Sequence, residues 1–212
     1  MIFTLLLIAA NLLPNGTFDE GNAAPVRWER ADGLTSFWIS EKGRGRILKL
    51  DSRPERKQVL AYQAELKKNP SAPPPKPVLA KPPYYSSIGG NEGVMIDSDL
   101  IPVKPGQNYK LTVDARGNSK PFVWIKGFRK HPKRNMLIDS YQTRLHAYPL
   151  SENEWRSFSI GFNPTAKSPH TEVMKVRVYV YWPSGVCYFD NIRLEEISEA
   201  EMKTLIKERE KE

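Results

Sequence analysis

Cysteine is almost absent: the chain has one, Cys187. No internal disulfide can form, which excludes the disulfide-stapled secreted folds and cysteine-built zinc centres. Histidine is scarce as well. His131, His146 and His170 are the only three, each in a polar, loop-like context and none at a paired metal-ligand spacing. No apolar run reaches the roughly 20 residues that a membrane-spanning helix needs. There is no Gly-x-Ser-x-Gly elbow and no Gly-rich phosphate loop. Cys187 lies between Val186 and Tyr188 in an apolar strand context and reads as a small buried hydrophobe rather than a nucleophile. Glycoside hydrolysis needs two carboxylates flanking a cleft. The two close pairs, Asp97/Asp99 and Glu152/Glu154, both read as ordinary turn acids.

What remains is enough for a core. The 212 residues are 40% hydrophobic and 10% aromatic, which is globular material for one domain or two small ones. The net charge of +8 suits an anionic neighbour: nucleic acid, a membrane surface, an acidic polysaccharide, or none. Met1 to Ala10 is a short apolar run. Its length suits the hydrophobic region of a secretory signal, with Ala10 just before the cut; the alternative is a buried N-terminal strand.

The body reads as strands. In GRGRILKLDS, Ile47, Lys49 and Asp51 alternate with Leu48, Leu50 and Ser52. In YKLTVDARG, Tyr109, Leu111, Val113 and Ala115 share one face. PFVWIKGF, RSFSIGFN, MKVRVYVYW and VCYFDNIRLEEI continue the set. Many short strands punctuated by turns predict an all-β, two-sheet antiparallel sandwich. Residues 54–93 interrupt it. PERKQVLAYQAELKK predicts one amphipathic helix, with Val59, Tyr62, Ala64 and Leu66 near helical spacing, ending at Asn69-Pro70. SAPPPKPVLAKPP then predicts a stiff polyproline arm, and YYSSIGGNEG a flexible loop. Residues 198–212 predict a short charged helix, with Ser198 and Glu201 as a capping box.

The phrase NLLPNGTFDEG followed by Trp28 resembles the first strand of carbohydrate-binding modules of the cellulose- and xylan-binding type, within the galactose-binding-like jelly rolls. IPVKPGQNYKLTVDARG resembles that family's Pro-Gly hairpin, Trp155-Arg-Ser-Phe-Ser-Ile its Trp-initiated strand, and VYVYWPSGVCYFDNIRLEEI its last pair of strands. The resemblance covers residues 11–197 apart from the insertion at 54–93. It implies a jelly roll whose first and last strands lie side by side. It also implies a structural calcium at that seam, with Asp19 and Asp190 as ligands and Gly21 or Glu20 adding an oxygen. The alternative for these acids is plain turn hydrogen bonding. Trp28 and Trp155 fall at family core positions, and Phe158 and Phe162 are core by alternation.

Sugars bind by stacking their C–H faces on aromatic rings while polar groups hold the hydroxyls. The face opposite Val176, Val178 and Val180 presents Arg177, Tyr179 and Tyr181, with Trp182 just beyond. On the PFVWIKGF strand, Trp124 and Lys126 share a face. Together these would make an aromatic floor with basic donors on the concave side. Tyr84 and Tyr85 of the insertion could fold over it, and Trp38 is a further candidate. KGFRKHPKRN holds five cations between Lys126 and Arg134. It reads as a solvated loop, with a patch for acidic or sulfated glycans or an anionic cell surface as the functional alternative and single-stranded nucleic acid as a third.

The expectation is therefore a secreted or cell-envelope, non-catalytic module binding a polysaccharide or glycan, neutral or acidic, with no nucleic acid and no transmembrane segment. Two alternatives share the fold: an envelope or adhesion domain binding protein through the Pro-rich arm, and a glycan-active hydrolase or lyase.

Overall fold

The computed structural model describes residues 10–209. The expected export segment, except Ala10, therefore lies outside the described residues. Among the described residues ten strands build two antiparallel sheets. In order along the chain they are β1 (Ser36–Glu41), β2 (Gly45–Asp51), β3 (Val94–Asp97), β4 (Ile101–Pro102), β5 (Asn108–Gly117), β6 (Phe122–Lys130), β7 (Leu137–His146), β8 (Arg156–Phe162), β9 (Val173–Val180) and β10 (Val186–Ile197). One sheet runs β1-β2-β10-β5-β8. The other runs β3-β9-β6-β7, and β4 also pairs with β9. This is the expected all-β sandwich.

Period-two alternation sets the layers. In β5 and β9 every second residue is buried, and Leu111, Val113, Val176 and Val178 all belong to the one core. Leu48, Leu50, Phe189 and Leu194 add the inner face of the first sheet, and Val123, Ile125 and Ile96 that of the second. Each fully buried side chain of this size contributes about 1.5–3 kcal/mol. Cys187 lies in the same core, where burial pushes its thiol up to about 12.

The insertion is ordered against the sandwich. α1 (Arg56–Lys68) buries Val59 and Tyr62 and ends at Asn69, as the spacing predicts. Ala64, expected on the buried face, is exposed instead. The Tyr62 hydroxyl shares its one proton between the carbonyls of Asp32 (3.0 Å) and Ala72 (3.1 Å), tying helix and arm to the body. The polyproline arm returns along α1, where the Val78 N–H donates to Gln58 Oε1. The segment expected to be a flexible loop forms a short 3₁₀ turn at Tyr84–Ser86 and the one-turn helix α2 (Ile88–Asn91), capped by Ser87. At the C-terminus, α3 (Glu199–Arg209) carries the predicted capping box: the Ser198 N–H donates to Glu201 Oε2 and the Glu201 N–H to Ser198 Oγ.

The opening phrase departs from expectation. Residues 11–21 form turns rather than a strand, because Asn15 and Phe18 adopt positive φ. They do run beside the last strand. The Leu12 N–H donates to Leu194 O, and the Ile192 N–H to Gly16 O, both at 2.8 Å. Asn11 pairs with β10 like a strand residue, its side chain bonding Ile192 O and the Leu194 N–H. Gly16 is required by this approach: a Cβ there would lie 1.9 Å from Ile192 O.

Candidate functional site

The outer face of the β3-β9-β6-β7 sheet collects most of the residues singled out in the sequence. Antiparallel register puts Phe122 and Trp124 of β6 directly opposite Tyr179 and Arg177 of β9. On the other side of β6 they face His146 and Arg144 of β7. Side chains opposite one another on one face of a ladder lie within contact distance. Trp124, Lys126, Arg177 and Tyr179 therefore meet Met95 and Gln142 around a shallow hollow of about 230 Å³. Tyr181 stacks on Tyr179, with ring centroids 6.0 Å apart and planes 11° from parallel. A second hollow, of about 440 Å³, is lined in part by Lys175 and Phe128 and lies further along the same strands.

The floor is fixed from beneath and from its rim. The Tyr179 hydroxyl donates to Glu92 O at 3.0 Å. Gly93, at φ +74°, admits the ring: a Cβ would lie 2.6 Å from it. Asp97 of β3 is buried and accepts two bonds from the Arg177 guanidinium, at 2.6 and 2.9 Å, and a contact from Lys175. Burial pushes the Asp97 carboxyl up, but the bonds and charges of Arg177 and Lys175 prevail and hold it below its ordinary value. Asp97 is thus a strand residue locked in an ion pair, not the turn acid expected. Lys126 donates to Gln142 Oε1 at 3.1 Å. The floor offers ring faces and hydrogen-bonding groups, with its acid neutralised.

Tyr85 and Trp182 form a separate platform where the insertion meets the end of β9. Their rings are stacked at 5.5 Å and 4°, with Tyr85 66% and Trp182 40% exposed. Tyr84 is exposed beside them. Trp38 belongs to the other sheet. Its indole donates to Phe18 O at 2.8 Å, and the Arg46 guanidinium covers its ring. Trp28 is buried against Phe18 as expected. Trp155 is not core: the Arg44 and Arg116 guanidiniums lie against its ring, at 4.0 and 5.3 Å, and its indole donates to Glu41. Phe158 is only partly buried.

Sequence reasoning missed β7 and with it Gln142, Arg144 and His146, because LIDSYQTRLH carries little apolar alternation. Phe122 was within reach: it precedes Trp124 by two residues and so shares its face.

The acids at the N-terminal seam have partners of their own. Arg44 Nη1 lies 2.8 Å from Asp190 Oδ2 and 3.1 Å from Asp114 Oδ2. Burial outweighs that bond and holds the Asp190 carboxyl above its ordinary value. Asp19 Oδ1 accepts the Arg46 N–H at 2.8 Å, and the Glu20 carbonyl accepts the Val26 N–H. Gly21, at φ +135°, pairs with Pro25. Among the described residues no three His, Cys, Asp or Glu side chains are placed to hold a metal. A hard cation takes six to eight oxygens. This donor set, with a guanidinium already beside Asp190, does not fit calcium.

No family model and no curated protein matches the chain. Solved structures resemble it over most of its length. The enzymatically active domain of bacteriophage CBA120 tailspike protein 4 superimposes with a TM-score of 0.52 at 10% identity, over 88% of this chain and 21% of that one. This chain thus spans about a fifth of the tailspike domain. The CBM22-1 xylan-binding domain of Paenibacillus barcinonensis Xyn10C gives 0.45 at 8% identity, over 90% and 96% of the two chains. The Stig cyclase FisC of Fischerella sp. TAU gives 0.47 at 16%, over 89% and 98%. Carbohydrate-binding modules recur among these neighbours. At such identities the likeness is one of fold, the jelly-roll sandwich.

Proposed function

We propose that the chain is a non-catalytic polysaccharide-binding module of the cell exterior or envelope, and that its ligand lies on the outer face of the β3-β9-β6-β7 sheet. The observation that carries this reading is the convergence of Tyr179, Tyr181, Phe122 and Trp124 on one strand face, interleaved with Lys126, Gln142 and Arg177. Ring faces stack on sugar C–H surfaces, and the amide, ammonium and guanidinium groups reach hydroxyls. The face is shallow and open, which suits a chain lying across strands better than an enclosed small molecule. Asp97, the buried acid on this face, is held as a carboxylate by two cations, which removes it as a proton donor. No described helix is long and apolar enough to cross a membrane.

A glycan array comparing the native chain with Trp124→Ala and Tyr181→Ala tests the reading. Loss of signal in either variant supports it; full retention in both removes the floor.

One observation favours a second reading, a protein-binding domain. The arm exposes Val78 (49%) and Leu79 (46%), and the Tyr85–Trp182 platform is exposed beside the insertion. Pro-rich segments lose little entropy on docking. Deleting residues 71–80 would then abolish partner capture while glycan binding survived.

A further inference from the structure

A cleft of about 750 Å³ opens at the side of the sandwich, where the edge strands β7 and β8 meet and α3 crosses them. Its volume falls in the range of small-ligand sites. Its lining is unlike that of the floor. Arg144, Arg156 and Arg209 supply guanidiniums from β7, β8 and α3, Glu208 is the one carboxylate in the lining among the described residues, and Tyr148 and Phe158 supply apolar wall. On the floor, Arg177, Lys175 and Lys126 each have a carboxylate partner. Among the described residues no carboxylate pairs with Arg144, Arg156 or Arg209.

The cleft is also organised. Arg144 Nε–H donates to His146 Nε2 at 3.0 Å, and His146 Nδ1 lies 2.9 Å from the Tyr148 hydroxyl. With Nε2 accepting, the neutral imidazole carries its proton on Nδ1 and gives it to the Tyr148 oxygen. The Tyr148 O–H is thereby left to donate outward. Arg156 is anchored by one nitrogen to Pro149 O at 3.1 Å. Arg144 joins the two sites: its guanidinium lies over Phe122 and Trp124, at 4.7 and 5.3 Å, and also lines the cleft.

We infer that this cleft receives an oxyanion carried on the saccharide, the carboxylate of a uronic acid or a sulfate ester. Planar guanidiniums bind such groups through paired, charge-assisted hydrogen bonds, and the aromatic wall suits the attached ring. The inference rests on the floor being a glycan site and adds the class of glycan: an anionic chain running from the rings of β6 and β9 over the edge of β7.

Calorimetric titration with polygalacturonate, dextran sulfate, neutral xylan and a single-stranded oligonucleotide tests this on the native chain, Arg156→Gln, Arg209→Gln and Trp124→Ala. Polygalacturonate or dextran sulfate should bind more tightly than xylan, and which of the two leads identifies the oxyanion. Arg156→Gln should weaken that anionic ligand about tenfold, the loss expected for one charge-assisted bond, with Arg209→Gln in the same direction. Xylan affinity should stay unchanged in both. Equal binding of all three glycans, insensitive to Arg156→Gln and Arg209→Gln, overturns the inference while a loss in Trp124→Ala still upholds the floor. Binding of no glycan overturns both. An oligonucleotide bound as tightly as the anionic glycans overturns it in favour of nucleic acid.

Discussion

Trp124 and Arg144 face each other across the β6–β7 ladder, and the Arg144 guanidinium rests 5.3 Å from the Trp124 ring centroid. That contact places a cation on the ring most central to the floor. A sugar stacking on Trp124 must share the ring with Arg144 or displace it, and the displaced guanidinium stays within the same groove. The pair therefore couples ring stacking to charge recognition.

Removing the ring should show in affinity, not in folding. Trp124 is only half-buried and on the outer face. Trp124→Ala should lower glycan affinity about fivefold, in keeping with about 1 kcal/mol for a ring contact. Its melting temperature should fall by no more than a few degrees. Calorimetric titration beside a thermal melt checks both.

Asp97 should matter for stability. Asp97→Asn leaves Arg177 and Lys175 without their carboxylate in a partly buried site, and a loss of about 2–3 kcal/mol is expected. Because the Asp97 carboxyl is held below its ordinary value of 3.8, its contribution is complete above that pH and fades as pH falls through the lower, native value. Native chain and variant should converge in strong acid. Urea unfolding between pH 2 and pH 7 reads the difference.

His146 should report on the side cleft. Partial burial and the charges of Arg144 and Arg209 hold its imidazole below 6.5. Arg156, Glu208 and Tyr148 also line its surroundings, and Lys120 lies over the Tyr148 ring. The native state therefore favours the neutral ring, and protonating it in acid costs stability. A bound oxyanion reverses the local field and raises that pKa. Binding then takes up a proton, and affinity for an anionic glycan should rise as pH falls through the interval between the free and bound values. Following the His146 ring protons by NMR, with and without polygalacturonate, checks the direction.

The N-terminal seam should be indifferent to calcium. Arg44 already stands beside Asp190 and Asp114. About 1 mM calcium should leave the melting temperature unchanged, whereas a site with micromolar affinity would raise stability by about 4 kcal/mol at that concentration. Gly16→Ala should cost about 1–3 kcal/mol instead, since a Cβ would meet Ile192 O.

Much of this arrangement was legible beforehand, for identifiable reasons. Strands with strict alternation, such as Tyr109–Ala115 and Val176–Val180, declared both their type and their buried face. That alternation also placed Trp124, Lys126, Arg177 and Tyr179 outward. β7 stayed hidden because an edge strand with one wet face needs few apolar residues, and Arg144 and His146 were hidden with it. Trp155 was misplaced because an indole ring packed against two guanidiniums, with its N–H on Glu41, looks, in sequence, like any core aromatic. The first strand expected at 11–21 is turns instead, because Asn15 and Phe18 adopt positive φ, while Leu12 and Gly16 still bond to β10.

The most direct test follows the five tryptophan indole N–H signals while a xylan or uronate oligosaccharide is added. The indoles of Trp28, Trp38 and Trp155 are each bonded within the fold, to Asn15 O, Phe18 O and Glu41. The Trp124 signal should shift in a saturable manner while those three stay still. A Trp124 signal unmoved at saturating ligand, with any of the other three displaced, would contradict a glycan site on the outer face of the β3-β9-β6-β7 sheet.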